Sequence, residues 1–234
     1  MTTTDGVLVK AEPYDWPYTG ALDLAHTALV LIDWQHDFCG PGGYVDSMGY
    51  DIGLTRAPIP NVRRLLAAWR EHDAPVVHTR EGHKPDLSDC PPNKLWRSRQ
   101  IGAGIGDEGP CGRILVRGEP GWEIIDELAP IEGEMIVDKA TKGAFSNTDL
   151  GLVLRNRGVH SLVITGITTD VCVSTTMREG NDLGYECLVL RIARRRRTRP
   201  TMRPRCGWSS CRAASSGRSR RATRCSPRSR RRDA

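Results

Sequence analysis

Three residues that could together cleave an amide bond, Asp33, Lys139 and Cys172, each follow a separate apolar segment of the chain. A cysteine thiolate is a nucleophile, and it needs a base to take its proton and a cation to stabilise its charge. A carboxylate can be the base if partial burial raises its pKa, and an ammonium group supplies the positive charge. These residue types predict acyl transfer to water, with an amide or imide cleaved through a thioester.

The segment around Cys172 predicts a turn between a strand and a helix. The apolar run 161–165 ends at Gly166, and helical spacing follows at Val173, Met177 and Gly180. A thiol near a helix N-terminus is expected to have a lowered pKa, because free backbone N–H groups and the helix dipole favour the thiolate. A buried structural cysteine is the alternative, and this segment alone does not decide between them.

The elements that must position these residues alternate between strand and helix. Asp33 follows the apolar run Thr27–Ile32, and Lys139 follows a predicted strand over 134–138. This alternation predicts an α/β fold with three α/β/α layers and a mostly parallel central sheet. Carboxyl ends of parallel strands meet at one edge of the sheet, so we expect the three side chains to converge there. Asp33 by itself could simply cap a turn, but the joint placement argues against chance.

The remaining pattern predicts helices over 59–72, 122–128 and 148–157, and strands over 75–79 and 185–190. Residues 80–121 are rich in Gly, Pro and charge, and they predict a long loop. In or beside this loop lie His78, His83, Asp86 and Asp89. Their spacing matches no standard set of metal ligands, so we interpret them as solvated residues.

Charge is distributed unevenly along the 234 residues. Residues 191–234 contain 17 Arg, no Lys and one acidic residue, a net charge of +16. Residues 1–190 contain 17 basic and 27 acidic residues, a net charge of −10. The acidic body gives no reason to expect nucleic acid as a partner. We therefore predict a folded domain over 1–190 and a disordered Arg-rich tail over 191–234.

The eight cysteines contain no CxxC pair, which argues against a zinc site or a disulfide framework. The N-terminal residues lack the apolar core of a signal peptide, and no apolar run approaches the length of a membrane span. These features predict a cytoplasmic protein with no membrane contact.

Three segments resemble the isochorismatase-like cysteine hydrolases: ALVLIDWQHDFC (28–39), IVDKATKGAF (136–145) and TGITTDVCVSTTMREGNDLGYECLVL (165–190). The resemblance runs from about Tyr14 to Leu190. It implies a catalytic triad of Asp33, Lys139 and Cys172.

The same resemblance implies a cis peptide bond near Ile167–Thr168 and oxyanion donors in the backbone N–H groups of Thr168 and Cys172. It implies substrate contacts by Phe38 and Lys142, and neither a metal nor another cofactor. Members of the family are often homo-oligomers, commonly tetramers, so we expect the same here.

Further segments resemble the biuret-hydrolysing members of this family: GGYVDSMGYD (42–51), HTREGHKPDL (78–87), WRSRQIGAGIGDEGPCGRIL (96–115) and RGEPGWEII (117–125). The reaction they imply is biuret plus water giving urea-1-carboxylate (allophanate) and ammonia. The alternative is a ureidoacrylate or other small-amide hydrolase, because ureidoacrylate amidohydrolases share the GGY…D loop and the cysteine motif. Nicotinamidases carry an Asp-x-His metal site that is missing from this sequence.

The tail departs from the family pattern, which would continue with a helix, a strand and a closing helix. Seventeen Arg without one Lys is what GC-rich DNA yields in the wrong reading frame, so we interpret the tail as frameshifted near codon 190. A chain that ends this way is expected to fold poorly or to be inactive. The alternative is a genuine nucleic-acid-binding arm with Ser–Arg pairs such as Ser219-Arg220.

Overall fold

A computed structural model describes residues 7–190. Its strands are β1 Thr27–Ile32, β2 Val76–Glu81, β3 Glu108–Gly109, β4 Gly112–Arg113, β5 Met135–Lys139, β6 Ser161–Gly166 and β7 Glu186–Val189. Its α-helices are α1 His36–Cys39, α2 Tyr44–Ser47, α3 Gly53–Arg56, α4 Ile59–Glu71, α5 Pro92–Gln100, α6 Leu150–Asn156 and α7 Ser174–Asp182.

The central sheet has the strand order β5-β2-β1-β6-β7, and every pairing in it is parallel. All six residues of β1 are buried, as expected for a continuous apolar strand that is covered on both faces. The register pairs Ile32 with Gly166 and Glu81 with Lys139. The strand ends that precede Asp33 and Cys172 therefore lie side by side, and β2 separates β1 from the strand that ends at Lys139.

Helices cover both faces of the sheet, so the core has two layers. Leu29 and Leu31 of β1 belong to one cluster, which includes Val62 and Leu66 of α4. Val30 and Ile32 belong to the other, with residues of α6 and of the segment that leads into α7. The alternation of β1 side chains between the two clusters confirms the predicted three-layer α/β/α fold.

The region predicted as a long loop, 80–121, is partly regular. Strand β2 continues through Glu81, α5 follows, and β3 and β4 form an antiparallel hairpin. The helix predicted over 122–128 is also wrong. Two 3₁₀ turns, Pro120–Trp122 and Asp126–Leu128, stand in its place, because the segment between them is extended and Ile124 pairs with Gln35 in a β-bridge.

His78 and His83 are buried rather than solvated, which corrects the prediction from the loop composition. The His78 ring lies in β2, with Nε2 2.9 Å from a carboxylate oxygen of Glu134. The His83 ring follows β2, with Nδ1 3.1 Å from a carboxylate oxygen of Asp89. Each histidine therefore pairs with a carboxylate and joins β2 to a neighbouring segment.

The predicted Arg-rich tail, its boundary after Leu190 and its proposed frameshift concern residues 191–234, which lie outside the described residues. Within residues 7–190 no helix has both the length and the apolar character that a membrane span requires.

Candidate active site

Asp33 is the first residue after β1, and its backbone adopts φ 53°, in the left-handed region that few non-glycine residues occupy. Such a conformation persists where surrounding contacts impose it, and these positions cluster at functional sites. The Thr79 hydroxyl donates a hydrogen bond of 2.6 Å to Asp33 Oδ1. The ammonium group of Lys139 donates one of 2.7 Å to Asp33 Oδ2. Both carboxylate oxygens are thus held in place.

Lys139 is the last residue of β5, and its side chain is fully buried. Besides Asp33, its Nζ contacts the carbonyl oxygen of Thr141 at 3.1 Å and Glu81 Oε2 at 3.5 Å. Burial opposes the charge on this ammonium group, but the carboxylates of Asp33 and Glu81 outweigh it and raise the pKa of Lys139 above its ordinary value. Lys139 is therefore a permanent cation between two carboxylates.

Cys172 lies in a π-helical turn, Thr169–Val173, which leads directly into α7. The peptide bond between Ile167 and Thr168, just before this turn, is cis, as the family resemblance implied. The Cys172 side chain is buried, and its Sγ lies 3.3 Å from Glu81 Oε2, to which the thiol donates. Atoms of Asp33, Glu81 and Cys172 all lie within 4.8 Å of one another.

The thiol of Cys172 does not have the lowered pKa expected from its place before a helix. Burial raises its pKa well above the ordinary value, and the charges of Asp33 and Glu81 raise it further, against the opposing effect of Lys139 and Lys142. At this buried position the cost of removing the thiolate from water therefore has a larger effect on the Cys172 pKa than the helix N-terminus has. The thiol must give up its proton during the reaction rather than before it.

Glu81, at the carboxyl end of β2, is the site residue that the sequence interpretation missed. Its carboxylate is fully buried and meets three lysines: Lys94 Nζ and Lys142 Nζ lie 2.9 and 2.8 Å from Oε1, and Lys139 lies beside Oε2. Burial by itself would raise the Glu81 pKa, but the three ammonium groups hold it well below the usual range. Glu81 is therefore a permanent anion next to the nucleophile.

The backbone around Glu81 is fixed by the buried side chain of Gln35. Its Nε2 donates to the carbonyl oxygens of Glu81 and Trp122, and its Oε1 accepts from the N–H of Glu81. Because Gln35 lies just before α1, these bonds tie the end of β2 to the segment that follows Asp33. The end of β2, which carries the Glu81 carboxylate, is thus positioned by one buried amide.

The predicted substrate contacts lie around this cluster. Phe38 is buried in α1, and its ring packs edge-on against Tyr44 at a centroid distance of 6.0 Å. Lys142 reaches the site through Glu81, and its side chain keeps 37% of its accessible surface. Thr168 immediately precedes the turn that carries Cys172. The oxyanion role of the Thr168 and Cys172 N–H groups and the substrate contacts remain predictions.

Two groups of side chains within residues 7–190 have the donor types and spacing to hold a metal ion. The first is Asp33, Glu81 and Cys172, but Lys139 donates to one of these carboxylates and ion-pairs with the other, so an ammonium group already supplies the cation there. The second comprises Asp23, His26 and His160; it is exposed and lies before β1 and β6, at the opposite edge of the sheet.

This arrangement brings together the three residues expected to form the triad, and it supplies the parts of nucleophilic amide cleavage. The thiol of Cys172 lies close to Asp33, which can accept its proton, and donates a hydrogen bond to Glu81, while Lys139 contacts both carboxylates. The turn that carries the thiol is where backbone N–H groups can face a developing oxyanion.

Comparison with known proteins agrees with this chemistry. The isochorismatase domain matches residues 27–198. The ureidoacrylate amidohydrolase RutB of Pseudomonas syringae pv. syringae (strain B728a) is 34% identical over 167 residues, which cover 70% of this chain and 68% of the relative.

Among solved structures, a cysteine hydrolase from Pseudomonas syringae pv. phaseolicola 1448A aligns with a TM-score of 0.63 at 31% identity, over 74% of this chain and 73% of its own. N-carbamoylsarcosine amidase from Thermoplasma acidophilum aligns with a TM-score of 0.57 at 25% identity, over 74% and 86%. These relatives confirm the expected enzyme class, an amidohydrolase, and the chain belongs to the isochorismatase family.

Proposed function

We propose that this protein is a cysteine amidohydrolase that cleaves a C–N bond of a small ureido compound, with a ureidoacrylate-type substrate favoured over biuret. The observation that carries the proposal is the cluster of Cys172, Asp33 and Lys139 at the carboxyl edge of the parallel sheet. Ureidoacrylate is the substrate named for the similar RutB proteins, and N-carbamoylsarcosine amidase also acts on a carbamoyl group.

In the proposed reaction, Sγ of Cys172 attacks the carbonyl carbon of the ureido group and forms an S–C bond. The thiol proton passes to Asp33, and from there to the nitrogen that leaves as the C–N bond breaks. Lys139 stays protonated and keeps Asp33 oriented. The N–H groups of Thr168 and Cys172 would stabilise the oxyanion. Asp33 then takes a proton from a water molecule as its oxygen attacks the S-carbamoyl carbon, and returns that proton to Sγ of Cys172 as the S–C bond breaks, which releases a carbamate product and restores the thiol.

The test is release of ammonia from 3-ureidoacrylate and from biuret by the purified full chain, compared with Cys172→Ser. If the full chain melts cooperatively, contrary to the expectation from its tail, we expect turnover of the ureido substrate that disappears in Cys172→Ser and persists in Cys111→Ser, a matched control at a half-buried thiol outside the site. A cooperatively folded protein that hydrolyses neither compound would contradict the proposal. A preference for biuret would instead support biuret as the substrate, as the sequence resemblance implies.

A further inference from the structure

The lysines around Glu81 differ in how far their hydrogen-bonding capacity is used. Lys139 is fully buried and its Nζ contacts three oxygen acceptors, in Asp33, Glu81 and Thr141. Lys94 Nζ donates to Glu81 and to the carbonyl oxygen of Ala140, which uses two of its three protons. Lys142 Nζ donates within residues 7–190 to Glu81 alone, which leaves two protons for another acceptor.

Lys142 is also the lysine of this group that faces outwards. Its side chain retains 37% of its accessible surface, whereas that of Lys94 retains 13% and that of Lys139 none. Glu81 Oε1 accepts from both Lys94 and Lys142, so the two ammonium groups flank a single oxygen atom. Because the other oxygen of Glu81 contacts the Cys172 thiol, this pair of cations is fixed close to the nucleophile.

The charges of the cluster do not balance. Three ammonium groups (Lys94, Lys139 and Lys142) face two carboxylates (Asp33 and Glu81), which leaves an excess of one positive charge beside a neutral thiol. Transfer of the thiol proton to Asp33 moves a proton within the cluster and does not change this sum. An uncompensated charge in a largely buried site is costly, and a bound anion would remove that cost.

We propose that Lys94 and Lys142, held by Glu81, form a carboxylate-binding subsite beside Cys172, so that the protein selects anionic ureido acids over neutral ureas. This inference rests on the proposed function and narrows its substrate class. The substrate carboxylate would accept the spare protons of Lys142 and Lys94, while its ureido carbonyl lies at Cys172. Charge-assisted hydrogen bonds of this kind also fix orientation, because the carboxylate offers two acceptor oxygens to two donors.

The test is steady-state kinetics with anionic 3-ureidoacrylate and neutral biuret, for the wild-type chain, Lys142→Met and Lys94→Met. We expect Lys142→Met to raise KM for 3-ureidoacrylate about ten- to hundredfold, the loss typical of a charged hydrogen bond, with a smaller change in kcat. KM for biuret should change by less than about threefold. Lys84→Met, which removes an exposed lysine outside the cluster, is the matched control. An equal increase of KM for 3-ureidoacrylate and for biuret in Lys142→Met would overturn the subsite.

A second measurement needs no turnover and separates this inference from the proposed function. Propionate, a bare carboxylate, should slow the alkylation of Cys172 by iodoacetamide, and neutral propionamide should not. The protection should be lost in Lys142→Met and kept in Lys84→Met. If the wild-type chain hydrolyses no ureido compound but shows this selective protection, the anion subsite stands and the assigned reaction fails. Equal protection by propionate and propionamide would overturn the subsite whatever the activity.

Discussion

The thiol of Cys172 donates its hydrogen bond to Glu81 Oε2, at 3.3 Å, and not to the carboxylate of Asp33. Both oxygens of Asp33 already accept hydrogen bonds, from Thr79 and Lys139. The nucleophile is therefore oriented by an acidic residue outside the predicted triad, and Lys139 links the two carboxylates.

Glu81→Gln should make Cys172 more reactive towards alkylation and yet lower the rate of hydrolysis. The Glu81 carboxylate raises the pKa of the thiol, so its removal lowers that pKa, and each unit increases the thiolate fraction at neutral pH about tenfold. Hydrolysis should fall because Gln offers Lys94 and Lys142 an uncharged amide oxygen in place of the carboxylate that holds both ammonium groups. The measurement is the pH profile of iodoacetamide labelling, with Cys172→Ser as the blank. Slower labelling in Glu81→Gln at pH 7 would contradict this account.

Lys139→Met should destabilise the chain by about 3–5 kcal/mol at pH 8, because it leaves two buried carboxylates without their shared cation. Glu81 keeps Lys94 and Lys142, but Asp33 loses the ammonium group that contacts it, and a buried carboxyl group without a cation favours its protonated form in the folded variant. The folded state therefore binds more protons than the unfolded state, and the loss should shrink as the pH falls towards 5. Urea unfolding at both pH values measures this change. Lys84→Met should show no such loss, and a loss in Lys139→Met that is independent of pH would exclude the carboxylates as its cause.

The convergence of the three residues and the parallel sheet could be predicted from the sequence, because a continuous apolar strand followed by a reactive residue is a local signal. The strand-end rule placed Asp33, Lys139 and Cys172 together, and the register of β1, β2, β5 and β6 explains why it succeeded.

Glu81 was missed because β2 was predicted to end at Thr79, before the charged pair Arg80-Glu81. Charged residues normally favour a solvated loop, and the three lysines that compensate Glu81 come from distant parts of the chain. Extending β2 by two residues would have placed Glu81 at the same sheet edge by the same rule. The raised pKa of Cys172 had no local signal, because it depends on how completely the folded chain encloses the thiol.

His78 should make the fold sensitive to mild acid. Burial lowers the pKa of His78 below that of an unfolded histidine, despite the hydrogen bond to Glu134. Between those two pKa values the unfolded chain binds more protons than the folded chain. The free energy of unfolding therefore keeps its full value above about pH 6.5 and declines as the pH falls below it. His78→Gln should flatten this decline, measured by urea unfolding from pH 8 to pH 5. His72→Gln, at an exposed position, should leave the decline unchanged, and an equal slope in wild type and His78→Gln would exclude His78 as its origin.

Gly166→Ala should prevent correct formation of the site without touching a reactive group. Gly166 ends β6 with φ 153°, and a Cβ atom there would collide with the backbone of Ile32 in β1. Because β1 and β6 pair side by side, that collision pushes apart the strands that precede Asp33 and Cys172. We expect a lower melting temperature together with loss of hydrolysis. Gly151→Ala, in α6, is the control and should be neutral or stabilising by up to about 1 kcal/mol, because alanine favours helix. Wild-type melting and turnover in Gly166→Ala would contradict this account, because β1 and β6 would then accommodate the added Cβ atom without moving the site.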